Sequence, residues 1–357
     1  MKKKKILTTT IGSFPKPKYL PIYDWFDSAR DLGGMNTSKT TVDFTKYFSQ
    51  NDASHEKLFI KAAKEVIALQ VKCGIDIPTD GEVRRENYIH YHCRYLSGFD
   101  FLKLEHRVLR DGAYETNLPA IRGKIEHYGN LYAAHDFIVS QSTTNRPVKF
   151  TLPGPLTIMD TNADCYYNDR KKLNKDLANT INKEILSLVE AGCKYVQLDE
   201  PLFARQVGDA LTFGIEGVER CFFKVPNFVT KIVHICCGYT DRLDDENYKK
   251  ADPLSYFDLA KDLDKLNIDQ ISIEDAHFKN DLNLLNHFTE KKIIFGALNV
   301  TRSRIETKEE IVKRLKCVLN YIDRDRLIVS PDCGLGFLST VQAEQKLKVM
   351  CQAVKEL

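Results

Sequence analysis

The chain has 357 residues, of which 43% are hydrophobic and 28% charged, and its formal net charge is +3. This composition supports a sizeable buried core and excludes global disorder. So small a charge excess leaves no electrostatic footprint for nucleic acid. No run approaches the roughly 18 apolar residues that cross a bilayer.

The basic start, MKKKKILTTTIGSF, lacks the apolar stretch and small-residue cleavage site of a signal peptide, and its lysines read as solvated. The ten cysteines, without an export signal, do not read as a disulfide framework. Cys73, Cys193, Cys221, Cys317 and Cys351 fall in or at the end of helical patterns, where a thiol serves as a small buried hydrophobe. The cytoplasm is the expected compartment.

In chain order, β-branched runs at 6–14, 75–82, 148–155, 195–201, 231–238, 270–275, 293–300 and 327–335 predict eight strands. Helical spacing predicts helices at 56–72, 171–191, 254–266, 308–322 and 339–354. In the second of these, Leu177, Ile181, Ile185, Leu188 and Val189 recur on one face, and Gly192 supplies a stop. Strands alternating with helices imply parallel βαβ units, and eight such strands point to an α/β fold closed as a (β/α)8 TIM barrel. An open doubly wound sheet is the alternative, but no GxGxxG turn is present. Residues 16–54 and 102–146, the latter with one short strand candidate, are too polar for bare barrel elements and read as insertions at strand ends, of hairpin or lid type. With no linker, repeat or low-complexity stretch, residues 1–357 read as a single domain. Its oligomeric state is left open, with a homo-oligomer allowed.

In a barrel, strand C-termini face the active site. His234 and Cys236 lie two apart on one strand and so project to one side. Glu274 ends the run QISIED, and Cys333 ends the run LIVSPDCGL just before a glycine turn. Two thiolates, one imidazole and one carboxylate are a donor set for Zn2+. A satisfied core histidine is the competing reading of His234 alone; the shared strand-end placement of all four favours metal.

Asp80 and Glu82, and Asp199 with Glu200, also end strands. Such acids can hold an ammonium group or act as bases, or they can cap helix N-termini. Gly12 and Ser13 end the first strand and can offer backbone N–H groups to a carboxylate. Together these features suit an amino acid whose side chain reaches a metal. His90, His92 and Cys93 cluster in IHYHCRY, but the spacing of the two histidines argues against a shared metal. Cys237 points to the face opposite Cys236.

The motifs TIGSFP, DGE, LPGPLTI, QLDEP, HIC, SIED and SPDCGL occur in this order. The chain thereby resembles, over nearly its whole length, the C-terminal catalytic half of cobalamin-independent methionine synthase. The resemblance implies a (β/α)8 barrel and a zinc-dependent methyltransferase that methylates homocysteine to methionine. It places the zinc ligands on His234, Cys236, Glu274 and Cys333. It places homocysteine on Ile11 and Ser13 through backbone, and on Glu82 and Asp199 through side chains.

Three departures concern the methyl donor. The family's long form has a second, N-terminal barrel; its tryptophan for the pterin is replaced around Thr161, the only tryptophan being Trp25; and Thr301 stands where the family has its acid histidine. The resemblance is therefore to short, single-barrel members. Folate, corrinoid and sulfonium donors all remain open, and the lost acid favours the latter two. His277 or His92 could supply the missing proton. Alkyl transfer to another small thiol, as in epoxide:coenzyme M transferases, is the alternative activity. A non-catalytic barrel with a closed structural zinc is a further reading.

Overall fold

The computed structural model describes residues 4–27, 38–49, 53–109, 114–129, 131–238, 242–245, 248 and 250–357. Its strands in chain order are β1 (Leu7–Thr8), β2 (Phe99–Leu109), β3 (Tyr114–Ile121), β4 (Lys149–Pro153), β5 (Ala163–Asp164), β6 (Tyr195–Asp199), β7 (Thr230–Ile235), β8 (Gln270–Ile273), β9 (Lys292–Leu298) and β10 (Leu327–Pro331). Seven of them form one sheet in the order β1-β10-β9-β8-β7-β6-β4, and every pairing is parallel.

The remaining gap, between β1 and β4, is filled by the segment 77–79. Thr9 bridges Ile77 and Thr79 bridges Lys149, both in parallel. The sheet therefore curls round onto itself, as the eight-strand reading expected. The stretch 75–82 makes isolated bridges rather than a ladder because Pro78, in its middle, has no N–H to donate. Threonine side chains take over part of the bonding: the Thr9 hydroxyl donates to the Ile77 carbonyl at 2.7 Å, and the Thr79 hydroxyl to that of Gly12 at 2.9 Å.

The outer layer is built from amphipathic helices. Ala53–Cys73, Arg170–Glu190, Ser255–Lys265, Lys308–Val318 and Thr340–Glu356 fall on the five expected stretches. Their starts are written in the sequence. Asp169 caps the second, and Thr307 with Glu310 and Ser339 with Gln342 form capping boxes on the last two. Their apolar faces join the strands in one large core.

Inside the barrel, Ile11, Ile232, Ile294 and Ile328 form a separate plug. Ile232 lies two residues before His234 on β7, so the strand's inward face changes from apolar plug to polar rim within one repeat.

The 102–146 stretch carries most of the antiparallel hairpin β2–β3 and the helix Tyr132–Gln141. From the 16–54 stretch, the helix Ser38–Ser49 is described, while 28–37 and 50–52 lie outside the described residues. Among the described residues, no helix is long and apolar enough to cross a membrane. All ten cysteines are free.

Candidate metal and thiol site

Strand register sets the site. Asp199 pairs with His234, and His234 with Ser272, so three neighbouring strands bring polar side chains to one level. His234 Nδ1 lies 2.9 Å from the Ser272 hydroxyl, while its Nε2 is buried with no hydrogen-bond partner. A buried ring nitrogen left bare is costly unless something else takes its lone pair. The ligand atoms of His234, Cys236 and Cys333 all lie within 4.8 Å of one another. The Cys236 thiol is held well below its ordinary pKa by Cys333, with His234 adding to the effect, and the Cys333 thiol is pushed up in turn. Two sulfurs thus share the burden of one proton, and the trio offers one imidazole and two soft sulfurs to a metal ion.

Glu274, the fourth expected ligand, ends the strand next to β7 but does not join the trio. Its Oε2 pairs with Lys250 Nζ at 2.7 Å; the Glu274 side chain is buried and that of Lys250 is 10% exposed.

The expected substrate residues converge on the same rim. Ile11, Ser13, Glu82 and Asp199 are all buried. Ser13 is locked to the loop carrying Cys333: the Leu335 N–H donates to the Ser13 carbonyl at 2.7 Å, and a Cβ on Gly334 would lie 2.1 Å from the Ser13 hydroxyl. Glu82 takes a left-handed backbone, φ 55°, which a non-glycine residue adopts at a cost. Its Oε1 accepts from the Thr151 hydroxyl at 3.2 Å and lies 3.7 Å from Arg85. Burial pushes the Glu82 carboxyl up to about 7 against the pull of Arg85. Burial likewise pushes Asp199 up to about 6, opposed by His234 and Gln197. Two buried acids without a full counter-charge are prepared for an incoming cation.

Other strand-end acids have different tasks. Glu200 accepts from the N–H groups of Leu156 and Thr157 and from the Thr157 hydroxyl, at 2.9, 3.0 and 2.7 Å. It caps the short helix Pro155–Asp160, as the capping alternative anticipated. Asp80 holds Arg85 Nη2 at 3.2 Å. The IHYHCRY residues do not assemble: His90 meets the Thr161 carbonyl and His92 the Tyr132 hydroxyl. Neither joins a metal-type group among the described residues. Thr301 lies beside His277, with the hydroxyl 3.0 Å from Nδ1.

Sequence reasoning missed four residues. Gln197 and Lys149 form an interior relay to Asp199, and Gln197 could have been found, since it shares an inward face with Asp199 two residues on. Tyr88 lies within electrostatic reach of Asp199, Cys236, Cys333 and Glu82. No sequence pattern marks Tyr88 or Lys250.

The sequence model of the cobalamin-independent synthase catalytic domain matches residues 32–213 and 254–356. The chain belongs to that family. The intervening stretch, which holds His234, Cys236 and Lys250, falls outside the matched spans. A methionine synthase of Sulfurisphaera tokodaii is 30% identical over 348 residues, covering 98% of this chain and 91% of the relative. One from Saccharolobus islandicus strain Y.G.57.14 is 31% identical, covering 98% and 93%. Among solved structures, the B12-independent methionine synthase from Shewanella sp. W3-18-1 in complex with selenomethionine matches with a TM-score of 0.85 at 27% identity, covering 99% of this chain and 98% of that one. A putative vitamin-B12 independent methionine synthase from Listeria monocytogenes shares the fold, with a TM-score of 0.68 at 20% identity and coverage of 100% and 99%.

Proposed function

We propose that this family member transfers a methyl group to the sulfur of homocysteine, giving methionine, with zinc at the rim of a single barrel domain. The observation that carries the reading is the convergence of His234, Cys236 and Cys333 beside the buried acids Glu82 and Asp199. The Shewanella relative, solved in complex with selenomethionine, supports an amino acid of this size as a ligand. Glu274 is assigned as the fourth, labile ligand. Free thiols throughout fit a cytoplasmic setting.

The chain's own groups divide the work. The Ile11–Ser13 backbone receives the substrate carboxylate. Glu82 and Asp199 take the ammonium, which in return lowers their raised pKa values and keeps both ionised. The substrate side chain is then aimed at the trio. Zinc bound there would lower the pKa of a thiol from about 8.5 and leave its sulfur nucleophilic at neutral pH. The sulfur lone pair forms the new S–C bond as the donor's leaving group departs with the electrons of the old one. Holding the reactants in line is where the barrel contributes most.

Metal analysis tests the reading. The protein should carry about one zinc per chain, and Cys236→Ser and Cys333→Ser should each lose most of it, since a hydroxyl replaces thiolate poorly. In the cobalt-substituted protein, homocysteine should strengthen the sulfur-to-metal absorption. Full metal in both variants, or a spectrum unmoved by homocysteine but changed by another thiol, would overturn it.

A further inference from the structure

Glu274 is held by its neighbours at its backbone and by Lys250 at its side chain. Asn280 Nδ2 donates to its carbonyl at 2.5 Å, and its N–H faces the Tyr256 hydroxyl at 3.5 Å. Strand β8 fixes the residues before it. Its carboxylate can therefore change partner only by side-chain rotation.

It has one bonded partner and one prospective partner. One is Lys250, already bonded at 2.7 Å, with side chains 10% and 3% exposed. The other is the trio, since the Glu274 carboxylate lies within electrostatic reach of Cys236. Lys250 itself lies within such reach of Cys236 and Cys333. Of the four proposed ligands, three converge and one is held by an ammonium.

Resting on the metal assignment above, we infer that Lys250 is a positioning residue that competes with the metal for the Glu274 carboxylate and so sets how readily a substrate thiol gains the fourth ligand place. The charges argue for it. An arriving thiolate adds a negative charge to a buried site that already has two sulfurs. Glu274 can withdraw without stranding its own charge only if a buried cation receives it, because an unpaired buried carboxylate is strongly disfavoured. Lys250 is such a cation, joined to Glu274 by a charge-assisted hydrogen bond. A lysine in a loop suits the task better than a fixed strand residue, because its long stem can follow the carboxylate.

The experiment uses the zinc-loaded full-length chain and the variants Lys250→Met, Lys250→Arg and Lys250→Met/Glu274→Gln. Zinc release to a chromogenic chelator and homocysteine binding to the cobalt-substituted protein are both measured. Lys250→Met should release zinc about tenfold more slowly and bind homocysteine about tenfold more weakly, the lower end of effects seen for residues behind metal ligands. Lys250→Arg should restore most of both. The double variant should regain thiol affinity, because no carboxylate remains to hold the fourth place. A purely structural ion pair would lower the melting temperature and leave release and affinity unchanged; that result, or faster release without weaker thiol binding, overturns the inference. Should Lys250→Met not fold, Lys250→Gln, which also removes the charge but keeps a polar end, takes its place in the same comparison. Failure of the metal reading itself would show separately, as full zinc retention in Cys236→Ser and Cys333→Ser.

Discussion

Gln197 donates its side-chain amide to the Asp199 carboxylate at 2.6 Å and to the Ile11 carbonyl at 3.0 Å, tying the proposed ammonium site to the proposed carboxylate site. Its own carbonyl accepts from Lys149 inside the barrel. Gln197→Leu would remove both ties and strand Lys149. Hydrogen bonds to charged groups are worth about 1.5–3 kcal/mol, so homocysteine affinity should fall by roughly 10–100-fold. Calorimetric titration of wild type and variant would measure it; equal affinities would show that the relay is only packing.

The acids themselves give a pH signature. Glu82, raised to about 7, and Asp199, raised to about 6, must both be ionised to hold an ammonium group. Methionine, which has no titrating thiol, should therefore bind more tightly as pH rises from 6 to 8. Glu82→Gln should flatten the upper part of that rise. Both Glu82→Gln and Asp199→Asn should weaken homocysteine more than a small thiol without an amino group. An equal loss for both thiols would place the ammonium elsewhere.

Gly12 offers a gentler probe of the same place. A Cβ there would lie 2.5 Å from Glu82 Oε1, a side-chain atom that can yield. Gly12→Ala should leave the melting temperature nearly unchanged while displacing the Glu82 carboxylate and weakening methionine binding, read by the same titration. A large stability loss without a binding change would contradict this.

Much of this site could be read from the chain because a barrel puts strand ends on one rim. His234 with Cys236 and the SPDCGL turn needed only a period of two and the rule of strand C-termini. The second strand was legible as a position but not as a ladder, since Pro78 removes a donor that the apolar pattern does not reveal. Glu274 shows a different limit. Its place at a strand end was correct, but a loop lysine decides where its carboxylate rests, and no local pattern marks Lys250. The hairpin β2–β3 was legible as one form the 102–146 insertion could take, but not strand by strand, because exposed polar residues such as Lys103, His106 and Arg107 hide the alternation that identifies a half-buried strand.

Away from the rim, Glu184 predicts a pH-dependent stability. Its Oε2 accepts from the Ala133 N–H at 3.1 Å, its Oε1 makes no hydrogen bond but lies 3.6 Å from His127 Nε2, and burial pushes its carboxyl up to about 8. The folded protein holds this proton more tightly than the unfolded chain, whose glutamates titrate near 4.3. The associated stability is full below about pH 4 and is lost progressively as pH rises through about 8. Glu184→Gln should remove that loss and stabilise the protein at pH 8 by about 2–4 kcal/mol. Urea unfolding at pH 6 and 8 would test the sign; a variant less stable than wild type at pH 8 would refute it.

His277 and Thr301 bear on the choice of methyl donor. Thr301 occupies the place where the resemblance puts an acid histidine, and His277 sets its Nδ1 3.0 Å from that hydroxyl. An imidazole therefore stands at the right rim, but burial, with Lys250 adding to it, pushes its pKa down to about 4. At neutral pH it holds only one proton and gives it up reluctantly, whereas a folate leaving group needs a proton at its ring nitrogen. General acid help is typically worth about 10²–10⁴ in rate. A corrinoid or sulfonium leaving group departs unprotonated and loses nothing. Single-turnover transfer to homocysteine at pH 7.5 should thus be faster from methylcobalamin or a methyl sulfonium than from methyl-tetrahydrofolate. The folate rate relative to the sulfonium rate should rise as pH falls toward 5, because more His277 is then protonated, and His277→Gln should abolish that relative rise. Comparing donors within one enzyme cancels the shared loss of thiolate and of ionised Glu82 on acidification. A folate rate that leads at pH 7.5 and ignores His277→Gln would mean that another group supplies the proton.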